Sequence, residues 1–136
     1  MSKKEISEEL VRNFHIFWDN FPFPVMLTHR DRTILHINRA AATAGYAAGT
    51  RCIDLGAKEN HRRCMANQAL QEQTAKRLVA YSEALGLVVD GYWVPLAGEK
   101  DLFLHFFADI TAYAAEHMFQ EKECGESSGC GSCGGA

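Results

Sequence analysis

Leu87-Val88-Val89-Asp90-Gly91-Tyr92-Trp93-Val94-Pro95-Leu96, then Asp101-Leu102-Phe103-Leu104-His105-Phe106-Phe107-Ala108-Asp109-Ile110 after a turn at Gly98, is the stretch that decides the fold. Two runs rich in β-branched and aromatic residues, joined through a glycine, predict an antiparallel pair of strands. The second run is apolar at odd and even positions alike, so both faces of its sheet require cover. Just upstream, Arg77 to Ala84 carries Leu78, Val79 and Tyr81 and predicts a third strand, with Gly86 at the turn between them.

Working outward, Lys58 to Ala75 predicts the longest internal helix, with Cys64, Ala66, Ala69 and Leu70 as its buried stripe. Val25 to Thr28 and Thr33 to Ile37 predict a hairpin around the polar turn His29-Arg30-Asp31-Arg32. Asn38 is placed to cap a short helix over Arg39 to Ala44, and Gly45 to end it. A further helical turn is expected around Arg51 to Leu55. Ser2 to Asn20 predicts an amphipathic helix capped by Ser2, with Ile6, Leu10, Phe14 and Phe17 at helical spacing, halted by Phe21-Pro22-Phe23-Pro24. That helix, or a second subunit, is the expected cover for the outer sheet face. Thr111 to Lys122 predicts a closing helix, and the Gly, Ser and Cys composition from Cys124 onward cannot build a core. The organisation expected is thus an N-terminal helix over 1–20, a domain over 21–112, a C-terminal helix over 113–123 and a tail over 124–136.

The composition fits one folded domain: 136 residues, 47% hydrophobic and 23% charged. Seventeen acidic against fourteen basic residues leave a formal net charge of −3, without a block of like charge. Nucleic acid and anionic membranes are therefore not expected as partners. The charged N-terminus has no apolar leader region, and no run approaches the ~20 apolar residues of a membrane span. A cytoplasmic location with reduced thiols is the expectation, and five cysteines, an odd number, do not suggest a disulfide framework.

The order helix, two strands, short helices, longer helix, three strands resembles a PAS domain. So do several local patterns. Phe23-Pro24-Val25-Met26-Leu27 resembles the start of that family's first strand. Ile37-Asn38-Arg39-Ala40-Ala41 with Gly45-Tyr46 resembles its "vNraa…lGy" helix, and Asp109-Ile110-Thr111 its "DIT" end. The match covers roughly residues 14 to 112. The resemblance implies an α+β fold: a five-stranded antiparallel sheet flanked by short helices. It also implies a sensory, signalling or ligand-binding role rather than catalysis, exerted through contacts with another protein or in a homodimer. PAS-like domains bind haem, flavin, small metabolites or nothing, so the cofactor stays open.

Four features carry candidate chemistry. Cys124-x5-Cys130-x2-Cys133 has the thiolate spacing that grips a soft metal ion or an iron–sulfur cluster, one ligand short of four. His117, Cys64 or a second subunit's cysteine are candidates for the fourth. This makes a metal or cluster protein on a PAS-like scaffold the alternative function. His61, three residues before Cys64 on the predicted helix, is the candidate haem ligand the resemblance implies, although the familiar position nearer the next strand holds Gln and Thr. His105, between Phe103 and Phe107, reads as a satisfied core histidine or as a polar anchor for a ligand. Gly49-x-x-Cys52-x-x-Leu55 shares the spacing of a flavin-reactive loop but lacks the Asn, Arg, Phe and Gln around it, which argues against flavin. No nucleophile–base pair stands out, and Asp31, Asp54 and Asp90 read as turn-side carboxylates.

Overall fold

A computed structural model describes residues 5–55, 61 and 63–119. A five-stranded, wholly antiparallel sheet runs in the order β2-β1-β5-β4-β3. Its strands are β1 (Val25–His29), β2 (Ile34–Ile37), β3 (Lys76–Ser82), β4 (Leu87–Leu96) and β5 (Glu99–Asp109). Among the described residues, three α-helices accompany it: α1 (Glu8–Trp18), α2 (Arg39–Thr43) and α3 (Ala66–Glu72).

The register separates two faces, because directly paired residues of an antiparallel ladder point to the same side. Phe106 pairs with Val25 and Tyr92, and Leu104 pairs with Leu27 and Val94. Apart from Tyr92, which stacks on Phe106, these residues form one cluster with Phe14, Leu10 and Trp18 of α1. His105 pairs with Met26 and Trp93, while Phe103 pairs with Thr28 and Pro95. Phe103 and Trp93 pack instead against Ala66 and Ala69 of α3. The doubly apolar last strand is thus covered by α1 on one side and by α3 on the other.

Asn38 is 1% exposed. Its Oδ1 accepts from the Ala41 amide, capping α2, and from the Val25 amide at the start of β1 (3.0 and 2.9 Å). Its Nδ2 donates to the carbonyls of Trp18 and Phe23 (3.0 and 2.9 Å). One side chain therefore ties the end of α1, the first strand and the second helix together, using nearly all of its hydrogen-bonding capacity.

Three elements depart from the sequence reading. Ser7, not Ser2, caps α1: its hydroxyl accepts from the Leu10 amide at 3.1 Å, and Glu8 and Glu9 then fill the first turn. Ser2 lies outside the described residues. The helix expected over Lys58 to Ala75 is regular only from Ala66, so His61 and Cys64 do not share a helix face. Thr111–Tyr113 and Glu116–Phe119 form 3-10 turns where a regular helix was expected, and residues 120–123 lie outside the described residues. Asp109 accepts from the Thr111 amide at 3.0 Å, a local bond that closes the strand end as a turn.

Candidate ligand site on the α3 face

Two aromatic stacks stand back to back through the middle of the sheet. Tyr92 lies flat on Phe106 on the α1 face, with centroids 5.1 Å apart and planes 14° apart. Trp93 lies flat on His105 on the α3 face, at 4.9 Å and 12°. His105 Nδ1 is 2.9 Å from the Tyr92 carbonyl, which can only accept. Neutral His105 therefore carries its proton on Nδ1 and offers Nε2 as an acceptor. Burial is the main cause holding this imidazole below its ordinary pKa, with smaller contributions from His61 and Arg32. His105 thus hydrogen-bonds within its own sheet through Nδ1.

His61 stands near His105 but is held from elsewhere. Its Nε2 donates to the Leu55 carbonyl at 2.6 Å, and its own carbonyl receives the Cys64 amide at 3.1 Å. The Cys52 thiol is pushed up to about 11, first by burial and then by Cys64, so it stays protonated and a poor nucleophile. Burial, followed by Cys52, likewise raises Tyr46. These effects bring Tyr46, Cys52, Cys64, His61 and His105 into one electrostatic neighbourhood. Among the described residues, no group of three or more His, Cys, Asp and Glu side chains could hold a metal. Cys124, Cys130 and Cys133 lie outside the described residues, and His117 sits in the 3-10 turn Glu116–Phe119.

Arg32 is the residue that sequence reading passed over. It belongs to the polar turn of the first hairpin, yet it is only 8% exposed. Its φ of 76° lies in the left-handed region, where a non-glycine residue carries strain. The turn that imposes it is closed by Arg32 N to the His29 carbonyl (2.7 Å) and Thr33 N to Asp31 Oδ1 (2.9 Å). The guanidinium folds inward over the Phe103 ring, 5.8 Å from its centroid. Nη2 donates to Asn67 Oδ1 of α3 at 2.9 Å and Nη1 to the Arg30 carbonyl at 2.6 Å. No sequence signal marks this arginine, because its burial depends on α3, thirty-five residues away.

Two of the carboxylates considered earlier, Asp31 and Asp90, are engaged elsewhere. Asp90 lies in mid-strand rather than beside a turn and forms a two-pronged ion pair with Arg77 (2.7 and 3.0 Å). Two hollows of about 510 and 200 Å³ lie along α1, both open to solvent, and neither includes Arg32, His61 or His105. The larger is a groove on the charged side of α1, lined by Glu8, Glu9 and Arg12. The α3 face is the better candidate despite their size, since polar groups that converge on one point fix a ligand better than a polar groove does.

Comparison with solved structures agrees with this architecture. The phage VqmA–DPO complex superimposes with a TM-score of 0.64 at 15% identity over 78% of this chain, which spans 55% of that one. A domain of an HTR-like protein from Haloarcula marismortui gives 0.55 at 23% identity, covering 66% of this chain and 99% of that one. The sensory box sensor histidine kinase from Vibrio cholerae gives 0.56 at 11% identity, covering 79% and 98%. No family profile and no curated protein matches the sequence. The fold is PAS-like, an α+β architecture with a five-stranded antiparallel sheet.

Proposed function

We propose that this chain is a sensory or signalling module that binds a small molecule on the α3 face and acts through contact with another protein. The observation that carries the reading is the gathering of three polar groups on one face of the sheet: Arg32 over Phe103, His105 stacked on Trp93, and His61 close enough to act on His105. A few polar groups among apolar side chains are the usual make-up of a small-ligand site. In the VqmA structure a chain of similar fold is complexed with DPO. A binding role accounts for these residues without catalysis, because Cys52 is held protonated and His105 spends one nitrogen on a backbone carbonyl.

The partner surface in this reading is the outer side of α1, where Ile16 and Phe17 are 64% and 76% exposed, and a second copy of the chain is the simplest occupant. No described helix is long and apolar enough to cross a membrane, in keeping with a role away from the bilayer. The metal or iron–sulfur alternative rests on the Cys124, Cys130 and Cys133 spacing. Metal analysis of the anaerobically purified chain, with and without residues 124–136, tests it.

The two tryptophans make the main reading testable, because Trp93 lies on the α3 face and Trp18 on the α1 face. Small-molecule fractions of a cell extract added to ¹⁵N-labelled protein should move the Trp93 indole signal and leave that of Trp18 in place. If no fraction moves Trp93, the ligand reading fails.

A further inference from the structure

Where the last turns of α1 meet the edge strand β2, two histidines face each other. His36 pairs with Leu27, so its ring stands on the α1 side of the sheet. There it meets His15 of α1 edge to face, with ring planes 86° apart. His15 Nε2 lies 3.3 Å from His36 Nδ1. The other nitrogen of His15, Nδ1, donates to the Asp19 carboxylate at 2.7 Å. Asp19 therefore fixes the tautomer that leaves Nε2 with a lone pair, the carboxylate–histidine pairing that orients a ligating imidazole. The spacing fits as well. Tetrahedral metal–nitrogen bonds of about 2.0 to 2.1 Å hold two ring nitrogens roughly 3.3 Å apart, which is the separation between these rings. Burial, and then His15, holds His36 below its ordinary pKa, so at neutral pH it is the uncharged imidazole that a metal requires. The His15 and Asp19 side chains are 37% and 29% exposed, so an ion can arrive from solvent.

We propose that His15 and His36 bind a divalent transition-metal ion of the imidazole-preferring class, such as Zn²⁺ or Cu²⁺, through His15 Nε2 and His36 Nδ1, with Asp19 as the positioning residue. The ion takes the place of the proton in the link between the rings. His36 carries its ring proton on Nε2 instead, both facing nitrogens give a lone pair to the metal, and no proton is lost overall. Water completes the coordination. The site is thus smaller than the centres of three or more protein donors, which do not occur among the described residues. Within the class, Cu²⁺ should bind more tightly than Zn²⁺. The proposal is independent of the α3 face and of Cys124, Cys130 and Cys133. Its consequence is mechanical: the ion fastens α1, the helix that carries the exposed Ile16 and Phe17, to the edge of the sheet.

The test uses the full chain, ¹⁵N-labelled, with Cys124, Cys130 and Cys133 replaced by serine so that the tail thiols do not compete. Zn²⁺ is added near neutral pH and the ring nitrogens of every histidine are followed. The His15 and His36 signals should move together and saturate at one ion per chain, while the Trp93 indole stays in place. Hydrogen exchange of the α1 amides should slow on saturation. His36→Gln should abolish the saturable shift of His15. Should that variant fold poorly, His15→Gln removes the other ligand from a more exposed position and should abolish the shift of His36. Asp19→Asn should weaken binding by about tenfold or more, and Asp19→Glu should recover part of it, because a carboxylate behind the ring is what orients it. Movement of neither ring, movement of one ring alone, or a shift of His15 that survives His36→Gln overturns the site. Equal affinity in Asp19→Asn overturns the positioning role of Asp19.

Discussion

The two faces of one sheet use the same strands for opposite ends. On the α1 side, Tyr92, Phe106, Leu104 and Leu27 meet Phe14, Leu10 and Trp18, and the contact is a hydrophobic seal. On the α3 side, one residue along each strand, Trp93 and His105 stack in the same manner, but their neighbours are Arg32, His61, Cys52 and Cys64. The difference lies in what each helix brings. α1 buries the large side chains Phe14 and Leu10, whereas α3 faces the sheet with Ala66 and Ala69. Small helix residues over a sheet leave room for polar side chains to fold inward, and large ones do not. A face that only seals should be damaged most by lost volume. A face built around a charge should be damaged most by a changed charge.

The largest expected effect falls on the tie between α1, β1 and α2. Asn38→Ala strands the buried amides of Val25 and Ala41 and the carbonyls of Trp18 and Phe23, at a cost of about 3–5 kcal/mol. Urea unfolding followed at Trp18 and at Trp93 should show one lowered midpoint with both probes coincident. Separate transitions would mean that the two faces are not held by a single tie. Leu27→Ala comes next, at about 3 kcal/mol, because Leu27 is 1% exposed in the α1-face cluster and its loss leaves a cavity. A loss below about 1 kcal/mol would show that α1 does not seal that face.

Titration separates the faces further. Burial holds His105 neutral in the folded protein, below its ordinary pKa of 6.5. The unfolded chain therefore binds a proton that the folded one refuses as pH falls below that value. Stability should decline with acidification through this range, by at most ~1.4 kcal/mol per pH unit for one proton. His105→Gln should flatten the decline measured by denaturation between pH 6.5 and 5. An unchanged slope would show that the Trp93–His105 stack admits a charged ring at little cost.

Much of this was legible in the sequence, and what was not has a common cause. β4 and β5 were plain because they are runs rich in β-branched and aromatic residues, and Asn38 was plain because a cap acts within three residues of itself. The start of α1 was missed because Ser2 and Ser7 are both serines with acidic residues close behind, and only packing chooses between them. The span before Ala66 looked helical because Cys64 and Met65 are apolar, but they pack beside α3 without belonging to it. Arg32 was invisible for the same reason. A charged turn reads as solvated until a residue distant in sequence, Asn67, takes hold of it. Local chemistry is written locally, whereas the site is assembled from contacts between distant segments.

The smallest expected effect belongs to a pair of histidines at the edge of the α1 seal. Asp19 accepts from His15 Nδ1 at 2.7 Å, which leaves His15 Nε2 as the acceptor for His36 Nδ1–H at 3.3 Å. The helix end is thereby linked to β2 at the edge of the sheet. Burial, and then His15, holds His36 below its ordinary value of 6.5, so the undocked ring takes up a proton first and docking of α1 weakens as pH falls below that point. The site is partly open to water, so solvent screening limits the effect to about 0.5 kcal/mol. Hydrogen exchange of the α1 amides should therefore quicken modestly from pH 7 to 5.5, once corrected for intrinsic rates, and His36→Gln should remove that acceleration without altering exchange in β4. Equal acceleration in the variant would assign the acid sensitivity of the chain to the α3 face, leaving α1 as a purely hydrophobic cover.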